Sequence, residues 1–295
     1  MIIPGSLATT RLEERLERGD LLTFEPCPFA LPTGDDLAFL LQQRLRSSNY
    51  KNISYNPDQH TISGYASRSP EQADRLRELM RDFSQHLCAW LGKLLPRYAQ
   101  GWQLDRASLR PEEEATRKLR LTARNDLLHF DAFPSRPTRG QRILRLYVNI
   151  HPTDDRVWAT SETFAKVLEK YRDKVGWPNQ HGINWTHRLG QGIRSLFQPN
   201  VLDRTEYDEF MLRLHHFLKT NDDFQERAAR RLWHFKPGTA WLLFSDTLSH
   251  AELRGQHALE HSFFVAHETL VLPQESPAML LRERRMATNR LPQAA

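Results

Sequence analysis

Between Pro70 and Pro96 the apolar residues Leu76, Leu79, Met80, Phe83, Leu87, Trp90, Leu91 and Leu94 recur at intervals of three and four. This spacing lines one face of a helix, and it predicts a long amphipathic helix packed on a sheet. Two shorter helices precede it: a charged one over Thr10–Gly19, and one opened by Asp35 and Asp36 and carrying Leu37, Leu40, Leu41 and Leu45, acidic residues being favoured in a first turn. Leu21–Phe24, the extended run KNISYNP (Lys51–Pro57) and Trp102–Leu109 read as strands, and Pro111–Lys118 as a helical turn. Strand signals follow at Leu119–Thr122, Leu127–Asp131 and Ile143–Ile150, where β-branched and aromatic residues concentrate.

Helical patterns return between Asp154 and Arg231, over Ser161–Val175, His187–Phe197, Thr205–Leu218 and Asp222–Leu232, punctuated by Gly176, Pro178, Gly182 and Pro199. Strands resume at Trp233–Phe235, Ala240–Ser245, Ser249–Leu253 and Ala258–Val265, with a last one expected at Leu270–Leu272. Pro237-Gly238 and Arg254-Gly255 supply turns. Short strands at regular spacing, split by an insertion, predict an α+β chain built on a double-stranded β-helix, or jelly roll. The expected organisation is one domain over residues 1–295. Residues 1–118 form a mainly helical N-terminal part packing on the sheet, and residues 154–231 a helical insertion placed to act as a lid.

Composition narrows the class. A hydrophobic fraction of 39% with 10% aromatics, over 295 residues, supports a globular core. The net charge of +5 and pI near 9.3 favour an anionic partner, without choosing among nucleic acid, anionic lipid and an acidic small molecule. Two cysteines, Cys27 and Cys88, exclude a disulfide framework and a cysteine-rich zinc site, which suits a reducing cytoplasm. The first twenty residues are interrupted by Pro4 and Gly5 and turn charged at once, unlike a signal peptide. No run approaches the roughly twenty apolar residues of a membrane span, so any membrane contact is expected from the surface.

The candidate chemistry centres on His129-Phe130-Asp131. Residues i and i+2 of a strand share a face, so the imidazole and the carboxylate can converge on one metal ion. With thirteen histidines in the chain about one His-x-Asp is expected by chance, so the context matters. The triplet is followed by the basic turn segment Pro134–Gly140 and then by a strand. After the apolar run Trp241–Phe244, His250 offers a third ligand, completing the two-histidine, one-carboxylate face of non-haem iron(II) oxygenases. A rival set uses His250 and Glu252, themselves a His-x-Glu, with His129 as the third ligand. His257, His261 and His267 are expected to be supporting or surface groups.

Such oxygenases commonly use 2-oxoglutarate, whose far carboxylate suits the two-pronged guanidinium of arginine. Arg145, sharing a strand face with Tyr147 and Asn149, is the candidate base; Arg142 and Arg254 are alternatives. Arg136, Arg139 and Arg142 flank the dyad and would favour an acidic substrate, a plain solvated loop being the alternative. The C-terminal LLRERRMATNR, with Arg282, Arg284, Arg285 and Arg290, mixes basic and apolar residues as a lipid-surface segment does, or as a fraying terminal helix does.

The run HFDAFPSRPTRGQRILRLYVNIHP, followed by Arg156 and Trp158, resembles the Kdo hydroxylase family, as do KNISYNP, SDTLSHAEL and GQHALEHSFFV. The resemblance spans most of the chain. It implies a dioxygenase that uses Fe(II), 2-oxoglutarate and O2, with ascorbate as an auxiliary reductant. The implied reaction is hydroxylation of carbon 3 of 3-deoxy-D-manno-oct-2-ulosonic acid (Kdo) attached to lipid A in bacterial lipopolysaccharide. Carried over residue by residue, the iron ligands are His129, Asp131 and His250. The resemblance does not decide the 2-oxoglutarate site, so Arg145, Tyr147 and Asn149 rest on the strand argument. Arg136, Arg139, Arg142 and Trp158 are the expected substrate contacts. The implied partners are Kdo-bearing lipid A and an anionic membrane surface, not nucleic acid, with the protein peripheral on the cytoplasmic side of the inner membrane. Two competing readings are a non-catalytic jelly-roll module that binds an acidic sugar or lipid, and an oxygenase of another acidic substrate.

Overall fold

Every residue of the strand Arg142–Asn149 is buried, which requires a strand to be covered on both faces. Layering supplies the cover. The computed structural model describes residues 7–48, 50–66, 69–176 and 204–289. Its strands are β1 (Leu22–Phe24), β2 (Ile53–Asn56), β3 (Thr61–Ser63), β4 (Trp102–Arg110), β5 (Arg142–Asn149), β6 (Arg156–Thr163), β7 (Arg231–Phe235), β8 (Ala240–Phe244), β9 (Leu248–Arg254) and β10 (Ala258–Val265). Seven of them form one sheet in the order β1-β8-β5-β10-β4-β2-β3, and β7-β6-β9 form a second. All neighbours run antiparallel, as in a jelly roll.

The outer face of the larger sheet carries the helix that the apolar spacing predicts. It spans Pro70–Leu94, starts with Pro70 in its first turn, and is capped by Ser69, whose side chain accepts from the Gln72 amide. Its Leu76, Met80, Phe83, Leu87 and Leu91 pack with Leu144, Leu146 and Val148 of β5 and Leu242 and Phe244 of β8. Each such side chain contributes about 1.5–3 kcal/mol when buried. The smaller sheet is covered by the helices Phe164–Val175 and Glu206–Thr220, through Phe164, Val167, Leu168, Phe210, Leu214 and Leu218. Between the sheets lies an aromatic cluster of Tyr147, Trp158, Phe235 and Trp241.

Several segments depart from the sequence expectation. Leu127–Asp131 is not a strand: His129 forms one bridge with His250, while the Leu128 amide donates to the Gln225 side chain and the Asp131 amide to the Ser245 carbonyl. Three different partners for the amides of Leu128, His129 and Asp131 preclude a ladder. Leu119–Thr122 is replaced by a 3-10 turn at Leu121–Ala123. Leu270–Leu272 is not a strand because the Val271 and Leu272 amides bond the Glu17 carboxylate, at 2.8 and 2.6 Å. The expected helix at Ser161 begins only at Phe164; Arg156–Thr163 belongs to the barrel as β6, so the start of the expected insertion is sheet. The helix from Asp222 ends at Arg227, which releases Arg231 and Leu232 into β7. Residues 1–118 contribute β1–β4 to the larger sheet besides their helices. The expected helix His187–Phe197 lies outside the described residues. Among those described, no helix is long and apolar enough to cross a membrane.

Candidate metal centre

The bridge between His129 and His250 fixes two backbones against each other, through His129 N to His250 O at 3.0 Å and the reverse bond at 2.9 Å. Each imidazole then donates from Nδ1 to a carbonyl two residues earlier, His129 to Leu127 at 2.7 Å and His250 to Leu248 at 3.0 Å. This sets the tautomer and leaves both Nε2 lone pairs free to bind a metal. Asp131 lies between them, its Oδ1 at 3.6 Å from His129 Nε2 and its Oδ2 at 4.0 Å from His250 Nε2. The three ligand atoms all lie within 4.8 Å of one another.

Electrostatics puts this triad in the metal-ready state. Burial, with Lys219, holds His129 well below the ordinary imidazole range, and burial also lowers His250. For Asp131 burial acts upward, but Arg145 and the two histidines outweigh it and keep the carboxyl well below its usual range. Neutral imidazoles and an ionised carboxylate are the forms a divalent cation binds.

The rival ligand Glu252 is committed elsewhere, to Arg110 at 2.8 Å and Arg156 at 2.7 Å. Arg145 sits at the triad, 2.5 Å from Asp131 and 2.8 Å from Glu260. Arg110 completes the network by pairing with Glu260 at 2.6 Å. Close by, Trp158 stacks on His250 with ring centres 5.4 Å apart, Tyr147 meets Trp158 at 4.6 Å, and the Arg145 guanidinium lies 4.9 Å over Tyr147. Three polar atoms in this group, Tyr147 Oη, Trp158 Nε1 and Arg145 Nε, are buried without a hydrogen-bond partner. Buried donors are ordinarily satisfied, so three orphans beside a candidate metal ligand fit an oxygen-rich guest such as 2-oxoglutarate.

Other expected site residues fall elsewhere. Asn149 clamps the chain by donating to the Asp154 and Phe235 carbonyls at 2.9 and 2.8 Å, so its amide is committed to the backbone. Arg142, on the opposite face of β5 from Arg145, is locked to Asp246 at 2.9 Å and lies 4.1 Å over Phe244, off the lining of the pocket that holds His129 and Asp131. The Arg139 amide donates to Asp208 at 3.1 Å in a tight turn, and Arg254 is exposed at the end of β9. Trp158 lies inside the barrel against His250, not on a substrate-facing loop. Arg136 does reach the mouth, paired with Asp105 and 4.4 Å over Phe133.

That mouth is a pocket of about 440 Å³ lined by His129, Asp131, Arg145 and Arg110, with Leu212, His215 and Lys219 from the helix Glu206–Thr220. His215 stands edge-on to His129 at 5.0 Å and bonds the Phe130 carbonyl at 2.7 Å. Sequence reading missed Arg110, Arg156, Glu260 and these helix residues. The signal for the first three was a set of charges inside otherwise apolar strands.

A profile of the family described as 3-deoxy-D-manno-oct-2-ulosonic acid (Kdo) hydroxylase matches residues 5–288. Crystal structures of the Kdo hydroxylase KdoO, a non-heme Fe(II) alphaketoglutarate dependent dioxygenase, resemble this fold closely. Its complex with alphaketoglutarate and Fe(III) has a TM-score of 0.83 at 29% identity, covering 96% of this chain and 92% of that one. The apo structure has a TM-score of 0.82 at 30% identity, covering 97% and 92%. The complex with succinate and Fe(III) gives 0.82 at 29% identity, covering 99% and 94%. No curated protein sequence matches significantly.

Proposed function

Because the chain belongs to the Kdo hydroxylase family, we propose that it is an Fe(II)- and 2-oxoglutarate-dependent dioxygenase that hydroxylates carbon 3 of Kdo carried on lipid A. The observation that carries this reading is the buried His129–Asp131–His250 triad, with free Nε2 atoms and an ionised carboxylate, inside a KdoO-like barrel. When bound, iron with 2-oxoglutarate and dioxygen supplies the oxidising chemistry, yielding succinate and carbon dioxide beside the hydroxylated sugar.

The chain's own work is positioning and exclusion of water. His129, Asp131 and His250 would hold the iron from one face. Arg145 orients Asp131 through one terminal nitrogen and is itself held by Glu260, so the carboxylate ligand is aimed before metal arrives. Arg145 Nε, Tyr147 Oη and Trp158 Nε1 would receive carboxylate oxygens of 2-oxoglutarate. The helix Glu206–Thr220 forms one wall of the mouth through which the acidic sugar would enter, and is the part of the insertion we propose as the lid. Arg136 marks the outer edge of that entry. Arg282 and Arg284 are exposed on the last described helix, where an anionic membrane surface on the cytoplasmic side could hold the protein peripherally.

Incubating the protein with Fe(II), 2-oxoglutarate and Kdo-lipid A tests the reading. Succinate release and a product heavier by one oxygen atom are expected. Absence of both would leave a binding module, and succinate release only with a different acidic substrate would change the substrate class.

A further inference from the structure

Lys219 is only 2% exposed, and its ammonium donates to the Thr122 carbonyl at 3.3 Å. Lys51, the first residue of KNISYNP, lies at the surface but turns its ammonium inward to Asn125 Oδ1 at 3.4 Å. Both line the pocket that contains His129 and Asp131. Among the described residues neither is ion-paired with a carboxylate, whereas Arg110, Arg142, Arg145 and Arg156 all are. Burying a cation without counter-charge is strongly unfavourable, and two ammonium groups facing one space disfavour each other. Burial together with Lys51 pushes Lys219 down to about 7. An anion from outside the chain would relieve both effects.

We infer that Lys219, assisted by Lys51, forms the subsite for the substrate's carboxylate and thereby sets which carbon faces the metal. This rests on the Kdo-hydroxylase reading above. In a 2-ulosonic acid the carboxylate is carbon 1, so it lies two bonds from carbon 3 and must sit beside the metal pocket when carbon 3 faces the triad. Lys219 satisfies that placement: it lies four residues, about 6 Å of helix, beyond His215 on the same face, and the His215 ring is 5.0 Å from that of His129. Of the described cations buried on this pocket's lining, Arg110 and Arg145 are neutralised by their own carboxylate partners and Lys219 is not, while Arg106 and Arg120 on the same lining are less buried and water-screened.

Calorimetric titration of free Kdo into the iron-loaded protein is the direct test. Lys219→Gln is expected to weaken binding at least about tenfold, the equivalent of one lost charged contact, and Lys219→Arg to recover most of it. Lys51→Gln, at an exposed backbone position, tests the same charge if Lys219→Gln fails to fold. With Kdo-lipid A as substrate, Lys219→Gln should raise KM by a similar factor. For the same substrate reduced at carbon 1 to the alcohol, wild type and variant should have equal KM. The visible absorbance of the iron–2-oxoglutarate complex should titrate alike in both proteins.

Equal Kdo binding by wild type and Lys219→Gln overturns the subsite, whatever the turnover. So does a KM penalty that vanishes on removing the lipid A phosphates instead of the carboxylate. Lys219-dependent Kdo binding without hydroxylation by the wild type leaves the subsite standing and overturns the reaction assigned above.

Discussion

The two faces of β5 are equally buried and energetically opposite. Leu144, Leu146 and Val148 face the helix Pro70–Leu94, where apolar area and close packing do all the stabilising. Arg145 and Tyr147 face the space between the sheets, where Asp131, Glu260, Arg110, Glu252 and Arg156 form a nearly dry network of ion pairs. A charge in such a place is tolerable only because each has a fixed partner, and the same rigidity aims the metal ligands. The outer face is purely apolar from Leu144 to Val148, with one buried ion pair, Arg142–Asp246, at its end. The inner one retains orphan donors, so its hydrogen bonding is completed by what it binds.

The sharpest test of that contrast is Asp131→Ala, which removes the only anionic member of the triad. Turnover is expected to fall by about a thousandfold or more, equivalent to about 4 kcal/mol, with loss of bound iron by elemental analysis. Glu252→Gln should keep the iron but strip Arg110 and Arg156 of a shared partner, destabilising the fold by about 3–5 kcal/mol in chemical denaturation. Iron loss in Glu252→Gln instead would revive the rival ligand set. On the outer face, Phe83→Ala should cost about 3–5 kcal/mol through a cavity, while iron affinity of the folded protein is unchanged. Altered iron binding there would break the separation of roles.

Tyr147→Phe removes an unpartnered hydroxyl, so stability should hold while KM for 2-oxoglutarate rises about tenfold. The smallest effect is on pH dependence. Burial lowers His257 and His261 to about 4 in the folded state, below the ordinary value of 6.5, so the unfolded chain binds more protons between those limits. Their contribution is therefore present above about 6.5 and lost as pH falls toward 4, on the order of 1 kcal/mol per histidine after relaxation. Glu13, raised by burial to about 7, acts in the opposite sense between 4.5 and 7. A thermal midpoint that declines on acidification, and declines less in His261→Gln, is the expected result.

Much of this was legible in local pattern. Three-and-four spacing located the long helix, and runs of apolar, aromatic or β-branched residues between turns located β5, β8 and β10. His129, Asp131 and His250 stood out because alternate residues share a face and a later histidine opened a strand. Other features were hidden by the same logic. Arg156–Thr163 adjoins a helix pattern and has no alternation of its own, because β6 is mostly buried on both faces. Arg142 and Arg145 look alike in sequence, yet an odd step between them sends one to Asp246 and the other to the metal site.

The chain's linear order determined which residues could form helices and strands and which side chains could bind a metal, since both depend on neighbours three or four positions away at most. Only the tertiary structure decided which face became the interior and which charges met there. Arg110 and Glu260 are 150 positions apart, and the energy of an ion pair depends on distance in space and on dryness, neither of which is written in separation along the chain.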